Sequence, residues 1–233
     1  MPAADPRQTP GHASCVRMSW LAARPERFLS RPERALGVGI SLLAVVVLMA
    51  LVVPAGPLAI DERWSEAMHD LRTPLLTDLA LVFNALGRGL GLTLSVTVVC
   101  VVLFARRRGV ALLAFAATEA LASLSSTLLK VLVGRPRPPD GLVQPVGSAF
   151  PSGHAAYAGA TCVALVLLFT APGQRRSWWW ALAALGTVGM AWSRTYLQVH
   201  WLSDVVAGSL LGIGIAVTVF GGSQLRRRSP RDD

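Results

Sequence analysis

The chain has 233 residues, of which 53% are hydrophobic and only 15% are charged, and its formal net charge is +9. Soluble domains carry about 25% charged residues, so this composition excludes an ordinary soluble domain, and its hydrophobicity excludes a disordered chain. A bilayer-spanning helix needs roughly 20 apolar residues, and runs of about that length recur here. The sequence therefore predicts one all-α, polytopic membrane domain. The positive charge then reflects topology, and no nucleic-acid partner is predicted.

The N-terminal residues 1–34 hold six arginines among prolines and glycines, which predicts an Arg-rich cytoplasmic tail. Six apolar segments follow, and we expect them to form a six-transmembrane-helix bundle. These segments are 35–59, 88–105, 109–133, 152–171, 178–193 and 201–221. The predicted membrane domain thus covers residues 35–221, and residues 222–233 form a second basic cytoplasmic tail.

Arginine and lysine collect on the cytoplasmic side of membrane proteins. With the N-terminus inside, fifteen of the 22 Lys and Arg residues fall on the cytoplasmic side and seven on the other. This distribution predicts a multi-pass protein of the cell membrane with both termini cytoplasmic. The segment 60–88 mixes charged and apolar residues, and it is predicted to contain a helix lying at the membrane surface.

Three groups of ionisable residues lie at span ends that this topology places on the same, extracytoplasmic face. They are Lys130 with Arg135 and Arg137, then Ser152 to His154, and finally Arg194 with His200 and Asp204. Each group alone is more typical of a snorkelling anchor, a helix cap or an interfacial pair. Their occurrence together favours a site, and cations clustered in a partly dry pocket indicate an anionic ligand, with phosphate the obvious candidate.

The chemistry of these residue types fits phosphoryl transfer. Ser152 and Gly153 begin a helix, where free backbone N–H groups bind phosphate. His200 and Asp204 are four residues apart on one helix face, so the carboxylate can accept from Nδ1 and leave Nε2 free as a nucleophile. His154 can protonate the leaving oxygen. The sequence therefore predicts transfer of phosphate to His200, through a phosphohistidine, followed by hydrolysis.

The cysteines and carboxylates do not suggest a metal centre. Cys15, Cys100 and Cys162 have no metal-ligand spacing and are interpreted as small, mostly apolar fillers. No carboxylate cluster stands near the predicted site. We therefore expect metal-independent chemistry without a cofactor.

Three motifs occur in order along the chain. Residues 130–138 match KxxxxxxRP, residues 151–154 read PSGH, and residues 193–204 match SRxxxxxHxxxD. With these motifs the chain resembles the type 2 phosphatidic acid phosphatase superfamily, the integral membrane lipid phosphate phosphatases. The spacing from the motif lysine selects Arg137, and not Arg135, as the motif arginine. The resemblance implies a six-helix membrane bundle with an extracytoplasmic active site.

The family's functional residues carry over onto the matching positions. The implied catalytic residues are His200 as the nucleophile, Asp204 as the group that orients it, and His154 as the general acid. The implied phosphate-binding residues are Lys130, Arg137, Ser152, Gly153 and Arg194. The catalytic groups lie at span ends, at the level of lipid headgroups. The predicted substrate is therefore a lipid phosphate or a prenyl pyrophosphate such as undecaprenyl pyrophosphate.

Other functions remain open from the sequence. The chain could be a non-catalytic protein that binds or translocates lipid phosphates, although both histidines are present. It could also transfer phosphate from a lipid to an acceptor other than water. A vanadate-dependent haloperoxidase uses a related pocket, but six predicted spans argue against that activity. The sequence does not predict the oligomeric state.

Glu119 lies deep inside the third predicted span, where an acid is costly. Ser123, Ser126 and Lys130 follow it on the same helix face, so this span carries one polar stripe. One interpretation is a protonated glutamate hydrogen-bonded to a neighbouring helix. The alternative hypothesis is that the stripe lines a wet cavity beneath the active site.

Overall fold

The computed structural model describes residues 27–53, 56–170 and 176–227. These residues form eight helices and no strand, so the predicted all-α class is confirmed for this part of the chain. The helices are α1 (Pro32–Val52), α2 (Ala59–Asp70), α3 (Pro74–Leu86), α4 (Gly89–Ala105), α5 (Gly109–Val133), α6 (Gly153–Phe169), α7 (Ser177–Tyr196) and α8 (Leu202–Arg226).

Six of these helices, α1 and α4 to α8, fall on the six predicted apolar segments. In the described residues, α1, α5 and α8 are each long and apolar enough to cross a membrane. Helices α3 and α4 are long and apolar enough only when taken together, and a 55° bend separates them. The structure therefore contains three candidate spans, or four with the bent pair counted as one. Helix α6 is apolar but shorter, with 17 residues. The count of six spans stays a prediction.

The predicted surface segment 60–88 contains two helices, α2 and α3. Thr73 separates them because its side chain accepts a hydrogen bond from the Leu76 N–H and caps α3, and Pro74 at the first helical position favours a helix start. The Thr73 N–H donates to the Tyr196 hydroxyl at 2.9 Å. Met68 of α2 packs in the same cluster. Both helices are therefore fixed beside the C-terminal end of α7.

Helix α8 lies at the centre of the bundle and packs most extensively against α1 and α6. Small residues allow this close approach, because a Cβ at Gly208 would collide with the Ser152 carbonyl oxygen and one at Gly212 with that of Ala156. The N-termini of α6 and α8 meet as a result. The Ser152 N–H donates to the main-chain oxygen of Asp204 at 3.0 Å.

The opposite end of the bundle is closed by an aromatic cluster. The Phe28 ring is buried and meets the Phe220 ring edge-on, with the centroids 5.0 Å apart. The Gln224 side chain accepts hydrogen bonds from the Phe28 and Leu29 N–H groups. The packed region therefore extends beyond both predicted limits of the membrane domain, since α8 continues to Arg226.

The two predicted cytoplasmic tails are described only where they adjoin this packed region. Residues 27–34 and 222–227 belong to the described part of the chain. Residues 1–26 and 228–233, the remainder of both predicted tails, lie outside the described residues. The cytoplasmic location of these tails stays a prediction.

Candidate active site

Three connections meet at one end of the bundle and surround a pocket of about 200 Å³. They are the α5–α6 loop, the α7–α8 loop and the α3–α4 turn. Gly134 ends α5 with a left-handed φ of 62°, which suits glycine and turns the chain into the first of these loops. The polar residues lining the pocket are Asn84, Arg88, Lys130, Arg137, His154, Arg194 and His200, together with Gly153.

This pocket brings together six of the eight predicted site residues. The other two, Ser152 and Asp204, are fully buried just behind it. Ser152 is the N-cap of α6, and its hydroxyl accepts from the Ala155 N–H at 3.5 Å. Gly153 follows as the first helical residue, so the N-terminus of α6 is directed at the pocket. Backbone N–H groups at such a terminus favour an anion.

The pocket's three motif cations are held by main-chain and amide oxygens. Lys130 Nζ donates to the Ser148 carbonyl at 2.8 Å. Arg194 Nη1 donates to Asn84 Oδ1 at 2.6 Å, whereas the buried Arg194 Nε has no hydrogen-bond partner among the described residues. Arg137 donates to the carbonyl oxygens of Val146, Gly147, Ser148 and Val199. A buried donor without a partner is costly, so this geometry suits an anionic ligand.

His200 lies in the short loop before α8 and faces the cations. Its Nε2 is 3.2 Å from Arg137 Nη1, and its Nδ1 is 3.6 Å from Asp204 Oδ2. The second distance exceeds that of a hydrogen bond, so the carboxylate acts here as a nearby negative charge. Burial lowers the pKa of His200 well below its usual value, and the charges of Lys130, Arg137 and Arg194 lower it further. Both effects favour the neutral imidazole.

His154 is the second residue of α6 and lines the same pocket. Its buried Nε2 has no hydrogen-bond partner among the described residues, so it is available to a ligand. Gly87, at the α3–α4 turn, leaves room for this ring, because a Cβ there would collide with the imidazole. Sequence reasoning did not single out Gly87, whose importance depends on this tertiary contact.

Arg135 is the arginine that the motif spacing does not select. It lies outside the pocket lining and is fully buried behind it. It forms ion pairs with Asp204 at 2.6 Å and with Asp61 at 2.7 Å. The sequence showed Asp61 only as one of several charges in a surface segment. Asn84 and Arg88 in the pocket lining were also missed, because no motif marks the α3–α4 turn.

Glu119 shows both features that its two interpretations require. Its Oε1 accepts from the Thr161 hydroxyl of α6 at 2.9 Å. With Ser123 and Ser126 it also lines a cavity of about 480 Å³ between α4, α5 and α6. This cavity shares Lys130 and Gly153 with the pocket at the end of the bundle. The polar stripe thus leads from the half-buried carboxyl group of Glu119 to the candidate active site.

We predict that Glu119→Gln lowers activity several-fold without unfolding the protein. The amide oxygen can still accept from Thr161, but the ionisable group leaves the cavity beneath Lys130. Turnover and melting temperature of the purified variant test this, with Ser125→Ala on the same helix as a control outside the cavity lining. Unchanged turnover and unchanged melting temperature in Glu119→Gln would contradict a functional role for the stripe.

A family model described as the PAP2 superfamily matches residues 111–228. The chain belongs to the PAP2 superfamily. The match covers about half of the chain and includes all three motifs. The resemblance seen in the motifs is therefore confirmed.

Two solved structures resemble the fold. One is the crystal structure of a transmembrane PAP2 type phosphatidylglycerolphosphate phosphatase from Bacillus subtilis, with a TM-score of 0.71, 25% identity, and coverage of 84% of this chain and 98% of that one. The other is Aquifex aeolicus LpxE, with a TM-score of 0.59, 23% identity, and coverage of 74% and 98%. The candidate spans and the transmembrane neighbour indicate an integral membrane protein.

A curated relative is the undecaprenyl-diphosphatase of Sulfolobus acidocaldarius. It is 40% identical over 73 residues, which cover 31% of this chain and 32% of the relative. The match therefore spans about a third of that protein's length.

Proposed function

We propose that this protein is a metal-independent lipid phosphatase that hydrolyses the terminal phosphate of a lipid phosphate or prenyl pyrophosphate. One observation carries the proposal: a buried His200 stands in a pocket with four cations, and the Arg194 Nε beside it has no hydrogen-bond partner among the described residues. That arrangement fits a phosphate group next to a nucleophile. The positive charge that phosphoryl transfer needs comes from side chains and N–H groups.

The first chemical step forms a bond between His200 Nε2 and phosphorus. The bond from phosphorus to the leaving oxygen breaks, and His154 gives that oxygen a proton. Asp204 stabilises the positive charge that the imidazole acquires. The negative charge on the phosphoryl oxygens is stabilised by Arg137, by Lys130 and by the N-terminus of α6.

The second step releases inorganic phosphate. Water attacks the phosphorus of the phosphohistidine, and the nitrogen–phosphorus bond breaks. His154, which lost its proton in the first step, accepts one from the attacking water. His200 returns to its neutral form, so the cycle consumes one water and needs no further reactant.

A lipid substrate is favoured by where the pocket lies. The groups that line it come from the ends of membrane helices, where lipid headgroups are found. The relatives support this class, since one is an undecaprenyl-diphosphatase and another a phosphatidylglycerolphosphate phosphatase. We take a prenyl pyrophosphate as the first candidate and phosphatidylglycerol phosphate and phosphatidic acid as the next ones.

The proposed topology has six spans, α1 and α4 to α8, with both termini cytoplasmic and the active site extracytoplasmic. Helix α4 starts beside the pocket and ends at Ala105, so Arg106 to Arg108 lie at the opposite end of the bundle. Because arginines favour the cytoplasmic side, the pocket belongs to the outer side. Helices α2 and α3 then lie on the outer surface.

Phosphate release by the detergent-purified protein in the presence of EDTA tests the function. The substrates are phosphatidic acid, phosphatidylglycerol phosphate and a long-chain prenyl pyrophosphate, with His200→Ala as the inactive control. Release that persists in EDTA and disappears in the variant supports the proposal, and the ranking of rates identifies the substrate. Binding of these lipids without any release would instead favour a lipid-phosphate binding protein.

The lowered pKa of His200 predicts how the free protein titrates. A group whose pKa is depressed stays deprotonated to lower pH, so the nucleophile remains neutral below about 6.5, the value of a free imidazole. Nuclear magnetic resonance of histidine-labelled protein in detergent measures this, with the His200 signal assigned by its loss in His200→Ala. We expect no protonation of His200 near pH 6.5. A midpoint at or above that pH would contradict the assignment.

A further inference from the structure

We propose that Asp61 and Arg135 are positioning residues that hold Asp204 ionised and aimed at His200. Neither lines the phosphate pocket, so they act through Asp204 and do not touch the substrate. The inference rests on the proposed function, in which Asp204 stabilises the positive charge that His200 acquires. It extends the site by two residues that the three motifs do not specify.

The contacts form one continuous buried chain from α2 to α8. Arg135 Nη1 donates to Asp204 Oδ1 at 2.6 Å, and Arg135 Nη2 donates to Asp61 Oδ2 at 2.7 Å. The three side chains have no exposed surface. The other oxygen of Asp204 accepts from the Trp201 N–H at 2.9 Å and lies on the side of His200 Nδ1. The planar guanidinium thus fixes the rotation of the Asp204 carboxylate.

Asp61 is itself held in place by several hydrogen bonds. Its Oδ2 accepts from the Leu58 N–H at 2.9 Å, which caps α2, and its Oδ1 accepts from the Ser203 N–H at 2.8 Å, which caps α8. The Ser203 hydroxyl donates to it as well. Burial favours a raised pKa for Asp61, but these hydrogen bonds and that from Arg135 hold its pKa below the usual value. Asp61 therefore joins the starts of two helices and carries a negative charge.

The charges explain why both residues are needed. Without Arg135, the carboxylates of Asp61 and Asp204 would be buried without the cation between them, and their repulsion would make one of them keep a proton. A protonated Asp204 could not stabilise a cationic His200. Without Asp61, the Arg135 charge would cancel that of Asp204. With all three present, the cluster keeps one net negative charge beside the nucleophile.

Other ionisable groups also face His200 and Asp204, and they are unchanged in every variant of the test. Four cations and a histidine line the pocket around His200 from five other elements: Arg88 of the α3–α4 turn, Lys130 of α5, Arg137 of the α5–α6 loop, His154 of α6 and Arg194 of α7. Because these groups are shared by every variant below, a change in the pH profile reports on the Asp61–Arg135–Asp204 cluster.

The test is a rescue experiment on the full-length protein, with the fastest substrate of the phosphate-release panel. Arg135→Gln is expected to lower kcat about 10- to 100-fold, with little change in KM, and to move the acid limb of the kcat profile to higher pH. The double variant Asp61→Asn with Arg135→Gln removes the competing carboxylate. In it, the acid limb is expected to return toward the wild-type position and kcat to recover in part. Glu62→Gln, an exposed neighbour on α2, is the matched control.

A purely structural role would not give this rescue, since the double variant loses more buried contacts than the single one. An acid limb that stays shifted in the double variant, or a wild-type profile in Arg135→Gln, overturns the proposal. If Arg135→Gln does not fold, Arg135→Lys decides. Lysine keeps the positive charge but cannot contact Asp204 and Asp61 with two separate nitrogens. The acid limb should therefore stay at the wild-type pH while kcat falls. An unchanged kcat in Arg135→Lys would contradict a positioning role. A wild-type protein without phosphatase activity would count against the proposed function instead.

Discussion

Replacing His200 with alanine is expected to abolish phosphate release, with kcat at least about 1,000-fold lower than in the wild type. The alanine removes the atom that forms the bond to phosphorus, and His154, the other histidine that lines the pocket, is assigned to proton transfer. Lipid binding should persist, because the cations that line the pocket remain. Steady-state phosphate release and lipid binding by the same preparation measure the two effects separately.

The chain supplies a matched control for this substitution. His69 is exposed near the end of α2, away from the pocket lining, so His69→Ala should keep wild-type activity. A His200→Ala protein that is folded and retains a tenth or more of the activity would contradict the assignment of His200 as the nucleophile.

Replacing His154 with glutamine is expected to lower kcat on a lipid phosphate by about 100- to 10,000-fold, the range that general acid–base catalysis contributes. The loss has two parts, because His154 first protonates the leaving oxygen and then accepts a proton from water. An aryl phosphate separates them, since its leaving group departs without a proton. With that substrate, His154→Gln should release a burst of about one equivalent of aryl alcohol and then stall at the phosphohistidine.

Rapid-quench measurement of the aryl alcohol tests this division of roles. The wild type, in which the second step is fast, provides the reference. Equal losses on both substrates, with no burst from the aryl phosphate, would show that His154 positions the substrate and does not transfer a proton.

The motif residues could be predicted because their signals are local. Each motif lies at the end of an apolar run, where a charge is unusual. The spacing of four places Asp204 close to His200, although His200 lies in the loop before α8 and not on the helix face that the spacing predicts. The structure places Lys130, Arg137 and Arg194 around the same pocket, in agreement with that reasoning. The polar stripe below Glu119 was likewise visible, since helical periodicity is a local property.

The parts that were missed depend on tertiary structure. Asp61 is 74 positions from Arg135 and 142 from Ser203, so no spacing rule connects them. The break between α2 and α3 depends on the Thr73 cap, which the mixed composition of that segment concealed. The packing of Phe28 against α8 could not be predicted, because the residues around Phe28 have the composition of a basic tail.

The stereochemical course at phosphorus tests the central claim, transfer through His200, most directly. A substrate whose terminal phosphorothioate is made chiral with oxygen isotopes would be hydrolysed by the wild-type protein in water carrying a third isotope. Two successive in-line displacements, on His200 and then by water, predict net retention of configuration. Net inversion would mean that water attacks the lipid phosphate directly, and it would contradict the phosphohistidine mechanism.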